Sequence, residues 1–224
     1  MPLNPIADNL LYLDNHLLVV KKPAGLLVQG DHTGDETLFD QTREYLRTRF
    51  DKKGQVYLGL VHRLDRPVAG IIVFARTSKA AARLNEQIRN RTFTKIYRAL
   101  VHGRPPEKDE LTDYIVRNGI NSTTGTAATG KQAVLNYRLL KHHNGISLVE
   151  IDLCTGRHHQ IRVQFAQRGY PVVGDFRYGS QQKFGDKALA LYACRVKFTH
   201  PVLKTEMQFT IPPEDYWPRE FVME

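Results

Sequence analysis

Short apolar runs separated by polar positions predict most of the strands in this chain. The run 17–20 ends at Lys-Lys-Pro-Ala-Gly, which is typical of a strand that enters a turn. Period-2 alternation predicts strands over 133–139 and 149–153, and the continuous apolar run 71–75 predicts a buried strand. The remaining predicted strands cover 94–101, 188–198 and 206–211, with a His200-Pro201 turn between the last two.

Helical spacing appears in three segments. Apolar positions three and four residues apart predict helices over 36–50 and 78–91, with Thr77 or Ser78 as the N-cap of the second. A third helix is predicted over 157–167 and ends before Gly169 and Pro171, the usual order of helix-ending residues. The small, polar segment 121–130 predicts a loop or a hairpin tip.

The order of these elements predicts the fold class and the domain organisation. Runs of strands with a few helices between them favour an α+β fold, a mostly antiparallel mixed sheet flanked by a few helices. No repeat of fixed period and no long linker divides the sequence. We therefore expect one domain over 1–224, a length that can bury a full core.

The charge of the chain changes this picture by suggesting a partner. Lys and Arg number 32 against 23 Asp and Glu, which gives a net charge of +9. Such an excess favours an anionic partner, nucleic acid first and an acidic membrane surface second. The cations concentrate in one segment, where only Glu86 opposes them, and this favours phosphate contact. They are Arg76, Lys79, Arg83, Arg89, Arg91, Lys95, Arg98 and Arg104.

Cysteine usage and the N-terminus indicate the compartment. Cys154 and Cys194 lie in apolar runs without a CxxC pair, so we expect buried thiols in a reducing compartment. The first ten residues lack the pattern of a signal peptide, and no apolar run approaches the ~20 residues that span a bilayer. The sequence therefore predicts a cytoplasmic protein without a membrane partner.

The stretch VHRLDRPVAG, residues 61–70, places one carboxylate between two arginines at the start of a buried strand. Asp65 could be a turn aspartate paired with Arg63 or Arg66, the more common situation for a lone surface carboxylate. It could instead be a catalytic carboxylate, because loops beside a rigid strand often carry catalytic groups. Local sequence alone favours the turn aspartate.

The sequence contains little that supports binding of a metal or a nucleotide cofactor. The adjacent pairs His142-His143 and His158-His159 would not face one another on a helix, and no zinc-ligand spacing occurs. No glycine-rich segment has the spacing of a phosphate-binding loop. We expect no metal and no cofactor. A metal-dependent RNA hydrolase that uses His62 and Asp65 remains an alternative, and it predicts inhibition by chelators.

The segment CTGRHHQIRVQFAQRG, residues 154–169, is the second place where chemistry is predicted. Gly156 precedes the predicted helix and Arg157 starts it, and backbone N–H groups at a helix start favour an anion. Arg162 stands between apolar Ile161 and Val163, and an arginine flanked in this way is often drawn inward to a carboxylate. The alternative is an amphipathic helix with a solvated arginine face.

These motifs together resemble the RluA-type pseudouridine synthases. HRLD at 62–65 and GRHHQIRV at 156–163 are similar to the signature pair of that family. Four further segments resemble the family in the same order along the chain, which makes the resemblance strong. They are LLVVKKPAGLLVQ at 17–29, KIYRALVHG at 95–103, YPVVGDFRYGS at 170–180 and LALYACRVKFTHP at 189–201.

The resemblance implies an enzyme that isomerises uridine to pseudouridine in ribosomal or transfer RNA. It implies that Asp65 is the catalytic carboxylate, either as a nucleophile at C1′ or as a base at C2′. It also implies that Arg162 keeps Asp65 ionised and that Tyr97 stacks on the uracil. An RNA-binding protein that keeps the fold without the chemistry is the alternative, which the intact trio disfavours.

The resemblance also guides expectations about RNA contacts and assembly. We expect no N-terminal RNA-binding appendage and a monomer. The chain departs from the family pattern at Val68-Ala69, His158 and Gln164, none of which carries the expected chemistry. The residues expected to contact RNA are His62, Arg63, Arg66, Arg157, His159 and Gln160.

Overall fold

The computed structural model describes residues 5–222, which form two compact units. The first unit comprises the chain up to Phe93 together with Arg195–Ile211, and the second comprises Thr94–Cys194 and the segment from Pro212 onward. The chain therefore leaves the first unit and returns to it once before the C-terminal segment.

The elements follow one another along the chain in this order: α1 (Pro5–Asp8), β1 (Leu10–Leu13), β2 (Leu17–Lys22), α2 (Leu38–Arg49), β3 (Gly59–Leu60), β4 (Ala69–Ala75), α3 (Ser78–Arg89), β5 (Thr94–His102), β6 (Lys108–Asn118), β7 (Asn121–Gly125), β8 (Lys131–His143), β9 (Ile146–Asp152), α4 (Gln160–Gln167), β10 (Leu191–Thr199) and β11 (Glu206–Thr210). Two short 3-10 helices, Phe176–Tyr178 and Arg219–Phe221, complete them.

The first unit is built around two strands whose side chains are buried on both faces. β2 and β4 pair antiparallel, β1 extends the sheet beyond β2, and the short β3 also pairs with β4. Every residue of β4 is buried, because apolar side chains alternate to two covered faces. Thr77 caps α3 by accepting a hydrogen bond from the Ala80 N–H, as the sequence predicted.

The second unit contains an antiparallel sheet in the order β5-β9-β8-β6-β7. The helix α4 contacts β6 and β7, and Phe165 of α4 packs on Tyr137 with ring centroids 5.1 Å apart. Burial of these side chains against one sheet face stabilises the unit, since apolar area removed from water is the main favourable contribution. The predicted α+β class with mostly antiparallel strands is confirmed.

Three local predictions were wrong. The third helix begins at Gln160 rather than Arg157, because His159 adopts a left-handed backbone with φ 54. Part of the predicted loop 121–130 is the strand β7, whose partner β6 was not predicted at all. Cys154 is only partly buried, whereas Cys194 is buried as expected.

Within residues 5–222, no helix is long and apolar enough to cross a bilayer.

Candidate active site

Asp65 lies on the loop that joins β3 to β4 in the first unit, and its side chain is partly buried. The loop closes in a turn, because the Val68 N–H donates to the Asp65 carbonyl over 3.0 Å. Leu64 is buried next to Asp65, so the loop is fixed on both sides of the carboxylate. At the entrance to β4, Gly70 has φ 139, a conformation that residues with a side chain adopt with difficulty.

Lys22 holds this loop through hydrogen bonds, and this role was not predicted from the sequence. The side chain is completely buried at the end of β2. Its ammonium donates to the carbonyls of Pro23, Leu26 and Arg66 over 2.9, 2.7 and 3.1 Å. A buried ammonium is tolerated when it is fully hydrogen-bonded. Lys22 therefore joins the loop after β2 to the residue that follows Asp65.

Gly25 strengthens the same connection. Its N–H donates to the Arg66 carbonyl over 2.8 Å, and its carbonyl accepts from Arg66 Nε over 3.0 Å. The other end of the Arg66 guanidinium pairs with Asp35 over 2.7 Å. Arg66 was predicted to contact RNA, but much of its hydrogen-bonding capacity is used within the first unit.

The other polar residues of the Asp65 loop differ from each other in exposure. His62 is partly buried, and its Nε2 accepts from the Val73 N–H of β4 over 3.0 Å. Because Nε2 accepts here, the imidazole is neutral with its proton on Nδ1. The ring also packs on Phe93 at 5.4 Å between centroids. Arg63 is exposed, as a residue that contacts RNA should be.

Arg162 lies on α4 in the second unit and is buried against a carboxylate. Its Nε and Nη2 donate to the two oxygens of Asp175 over 2.7 and 2.9 Å. The Tyr178 ring covers the guanidinium, with 5.0 Å from Cζ to the ring centroid. The inward orientation predicted for Arg162 is therefore observed, and Asp175 is a carboxylate partner that the sequence did not indicate.

Asp65 belongs to the first unit and Arg162 to the second. Their pairing, which the resemblance implies, stays a prediction.

Tyr97 and Lys95 follow each other on one side of β5 in the second unit, and both are buried. Burial lowers the pKa of Lys95, although the nearby acidic groups Asp152 and Cys154 oppose this effect. A Cβ added to Gly156 would lie 3.4 Å from the Lys95 Nζ, so the ammonium reaches the loop before α4. Lys95 was expected to face phosphates, and its burial contradicts that expectation.

The loop before α4 is held by its own polar side chains. Gln160 is 3% exposed, and its amide oxygen accepts from Thr155 Oγ1 and from the Arg157 N–H over 2.7 and 3.0 Å. Its amide nitrogen donates to the Val134 carbonyl over 3.1 Å. Gln160 was predicted to contact RNA, but all these bonds are made inside the second unit and they shape the loop that carries Arg157.

Tyr178 links the two histidines of this loop to the hairpin β6–β7. Its hydroxyl lies 2.7 Å from His159 Nδ1 and accepts from the Ser122 N–H over 2.9 Å. Ser122 Oγ in turn bonds His158 Nδ1 over 2.9 Å, and the two imidazoles stack at 3.8 Å. Burial raises the pKa of Tyr178, while the Ser122 bond and the Arg162 charge oppose the rise.

His159 is buried in this arrangement, whereas Arg157 is exposed and its Nε donates to the Gln132 carbonyl. Three residues of the second unit were predicted to contact RNA, and of these Arg157 is exposed whereas His159 and Gln160 are buried. His159 and Gln160 support the loop from within.

A cavity of about 660 Å³ also opens on the sheet of the second unit. None of the predicted site residues line it, and its ionic groups include the pair Arg138–Glu150 at 2.8 Å. Its lining residues are Ile96, Lys108, Asp109, Glu110, Asn136, Tyr137, Arg138, Glu150 and Asp152. Within residues 5–222, no group of three His, Cys, Asp or Glu side chains could hold a metal ion.

Comparison with known proteins gives a consistent result. Residues 16–167 match the family model described as RNA pseudouridylate synthase. The chain is 32% identical to a ribosomal large subunit pseudouridine synthase C of Vibrio vulnificus, over 94% of this chain and 68% of the relative. It is 35% identical to a ribosomal large subunit pseudouridine synthase D of Neisseria meningitidis, over 95% and 60%. The chain thus spans about two thirds of the length of these relatives.

The fold matches a solved human structure, RNA Pseudouridylate Synthase Domain Containing 4, with a TM-score of 0.78. That match covers 96% of this chain and 91% of the human chain at 24% identity.

Proposed function

The chain belongs to the RNA pseudouridylate synthase family, and from this premise we propose that it isomerises uridines of ribosomal RNA with Asp65 as the catalytic carboxylate. Enzymes of this family convert uridine to pseudouridine in RNA, so the substrate class is RNA and the reaction is an isomerisation. The observation that carries the role of Asp65 is its place on a partly buried loop that Lys22 and Gly25 hold through Arg66.

The reaction needs a carboxylate and no second substrate. The bond from N1 of uracil to C1′ breaks, the base turns, and a bond forms from C5 to C1′. The hydrogen on C5 is lost and N1 gains one, so the atoms balance within the nucleotide and water. Asp65 acts either as a nucleophile at C1′ or as a base at C2′, and in both routes it must be ionised.

Arg162 and Tyr97 complete the proposed catalytic group. A fixed guanidinium favours the ionised form of a carboxylate, which partial burial would otherwise disfavour. Arg162 is suited to this role because Asp175 and Tyr178 hold its guanidinium in one orientation. Tyr97 offers a ring that can stack on the uracil and a hydroxyl near the reacting atoms.

The target uridine must leave its stack to reach the carboxylate, at a cost of roughly a few kcal/mol. We propose that exposed Arg63 and Arg157 bind phosphates of the RNA around that nucleotide. His62, Arg66, His159 and Gln160 then act mainly by holding the two loops, since their polar atoms bond within the protein. We further propose that the protein works as a monomer in the cytoplasm.

The proposal is tested with Asp65→Asn, which keeps the shape of the side chain and removes its charge. We expect pseudouridine formation to fall by at least about a thousandfold, the scale for loss of a central catalytic group. Binding of the RNA should stay within about threefold of wild type, because phosphate contacts do not involve the carboxylate. Asp51→Asn at an exposed position is the matched control and should be fully active.

The measurement is pseudouridine mapping on RNA from cells that lack the gene, with purified wild-type protein and both variants. Product in ribosomal RNA with wild-type protein supports the proposal, and product in transfer RNA alone would redirect it to that substrate. Substantial activity of Asp65→Asn would show that Asp65 is a structural turn residue. Inhibition by chelators would favour the metal-dependent hydrolase instead.

A further inference from the structure

The short 3-10 helix Phe176–Tyr178 has two sides with different roles. On one side, Asp175 and Tyr178 hold Arg162. On the other side, Phe176 is 62% exposed and Arg177 is exposed beside it. Exposing an aromatic ring to water costs free energy in proportion to its exposed apolar area. A large exposed apolar side chain on a rigid element therefore often marks a binding surface.

The tip of the hairpin β6–β7 joins this exposed side. Ile120 at the tip is 61% exposed. Arg177 Nη1 donates to the Ile120 carbonyl over 2.6 Å, and Arg117 Nε donates to the neighbouring Gly119 carbonyl over 3.1 Å. The hairpin tip and the 3-10 helix, which the Arg177–Ile120 bond joins, therefore carry two exposed apolar side chains and two exposed arginines. We call Arg117, Ile120, Phe176 and Arg177 the tip patch.

The backbone beneath the tip patch is held by hydrogen bonds on both elements. The hairpin pairs in register to its last residues, Asn118 and Asn121. Ser122 directly after them donates its N–H to the Tyr178 hydroxyl over 2.9 Å. In the 3-10 helix, the Tyr178 and Ser180 N–H groups both donate to the Asp175 carbonyl over 3.0 Å. A partner that binds the tip patch would therefore find it already ordered, which lowers the cost of binding.

The alternative interpretation is that Phe176 is an ordinary surface residue, because single exposed apolar side chains are common on proteins. Leu203 illustrates it, since it is also 62% exposed and lies on the turn after β10. Phe176 differs because Arg177 follows it directly and donates to the Ile120 carbonyl, which brings a guanidinium to the surface shared by the 3-10 helix and the hairpin tip. Arginine beside an exposed aromatic ring favours an anionic partner with flat rings of its own, because the ring can stack on a base while the guanidinium contacts a phosphate.

We propose that the tip patch binds unpaired nucleotides of the substrate RNA, with Phe176 stacking on a base and Arg117 and Arg177 contacting phosphates. This inference rests on the proposed function, since it assumes an RNA substrate. Unpaired nucleotides are specified because bases inside an A-form helix do not offer their faces to a protein ring. Because the same 3-10 helix holds Arg162, RNA bound at the tip patch is attached to the element that supports the catalytic group.

The direct test is the affinity of the full-length protein for a fluorescently labelled short oligouridylate, measured by anisotropy. Phe176→Ala removes the ring on which a base can stack, so it should bind about tenfold more weakly than wild type. Phe176→Trp should bind at least as well as wild type, and its fluorescence should be quenched by the oligonucleotide. Leu203→Ala is the control of equal exposure and should bind like wild type.

Affinity of Phe176→Ala within twofold of wild type would overturn the proposal. Wild-type affinity of Phe176→Leu, which keeps the apolar area and loses the ring, would overturn the stacking role. On ribosomal RNA, Phe176→Ala should raise KM about tenfold and leave kcat unchanged. If the wild-type protein forms no pseudouridine, the proposed function fails, while the oligouridylate comparison still decides whether the tip patch binds single strands.

Discussion

Asp175 restricts Arg162 more strongly than a single hydrogen bond would. Both carboxylate oxygens bind the guanidinium, both side chains are buried, and the Tyr178 ring covers the remaining face. A bidentate pair fixes the orientation of the guanidinium plane as well as its position. Removing one partner of a buried pair typically costs about 3–5 kcal/mol, because the other charge is left without compensation. Asp175 is thus a positioning residue for Arg162.

Asp175→Asn should therefore lower kcat by at least about thirtyfold and leave KM within about threefold, since the role proposed for Arg162 is at the reacting centre and not in RNA docking. The measurement is steady-state pseudouridine formation at a temperature where circular dichroism shows the variant to be folded. Asp113→Asn is the matched control, because Asp113 pairs with Arg168, the residue that follows α4, over 2.9 Å. An equal loss of kcat in the control, or wild-type kcat in Asp175→Asn, would contradict the positioning role.

At the scale of single residues, sequence identified the groups with a recognisable neighbourhood and missed those defined by distant contacts. Asp65, Tyr97 and Arg162 stand in motifs that resemble a family. Lys22 and Asp175 carry no local mark except a charged side chain two positions after an apolar run. Their partners are the Arg66 carbonyl and Arg162, which only the fold brings near. A charged residue shortly after an apolar run is the signal that could have pointed to both.

At the scale of elements, prediction succeeded where periodicity and capping agreed. α3 combines apolar positions on one face with the Thr77 cap, so its start was predictable. β6 was missed because most of its side chains are exposed or half-buried and no clean alternation remains. The start of α4 was misplaced because His159 has a left-handed backbone, which the sequence does not mark, and the helix begins only after it.

The loops after β2 and before β4 form a pair of elements that Lys22 holds together, which makes a testable prediction. Lys22→Met keeps the approximate length of the side chain and removes the ammonium that donates hydrogen bonds to three carbonyls. We expect the free energy of unfolding to fall by about 3 kcal/mol, the scale for lost hydrogen bonds to a charged group. Activity should fall more than the folded fraction does, because the Asp65 loop loses its anchor.

Chemical denaturation and activity assays on the same samples measure both effects. Lys21→Met is the matched control, since Lys21 is partly exposed on the same strand, and its stability should change by less than about 0.5 kcal/mol. If Lys22→Met unfolds like wild type, the three carbonyls are satisfied in another way and the loop is not held by Lys22.

At the scale of the whole molecule, the net charge is +9. The cations behind it fall into two groups, those that make contacts within the fold and those that are exposed to a partner. In the basic segment 76–104, Arg98 lies 3.7 Å from Glu150, Lys95 is buried, and Arg76 packs over the Phe50 ring at 4.5 Å. These three support the fold, whereas Arg91 and Arg104 are exposed. The sequence correctly indicated a basic protein, but only the structure separates cations that can meet phosphates from those that cannot.

The available cations predict that RNA affinity falls steeply with salt, because each phosphate contact releases counterions. For about four contacts to single-stranded RNA, the slope of log K against log salt should be near −3, a loss of roughly fiftyfold between about 50 and about 200 mM salt. Arg177→Gln removes one cation of the tip patch and should make the slope shallower by about 0.7. Anisotropy titrations at several salt concentrations measure both slopes. An affinity that does not change with salt would mean that RNA binding depends on base contacts and stacking alone, and the excess of positive charge would then need another partner.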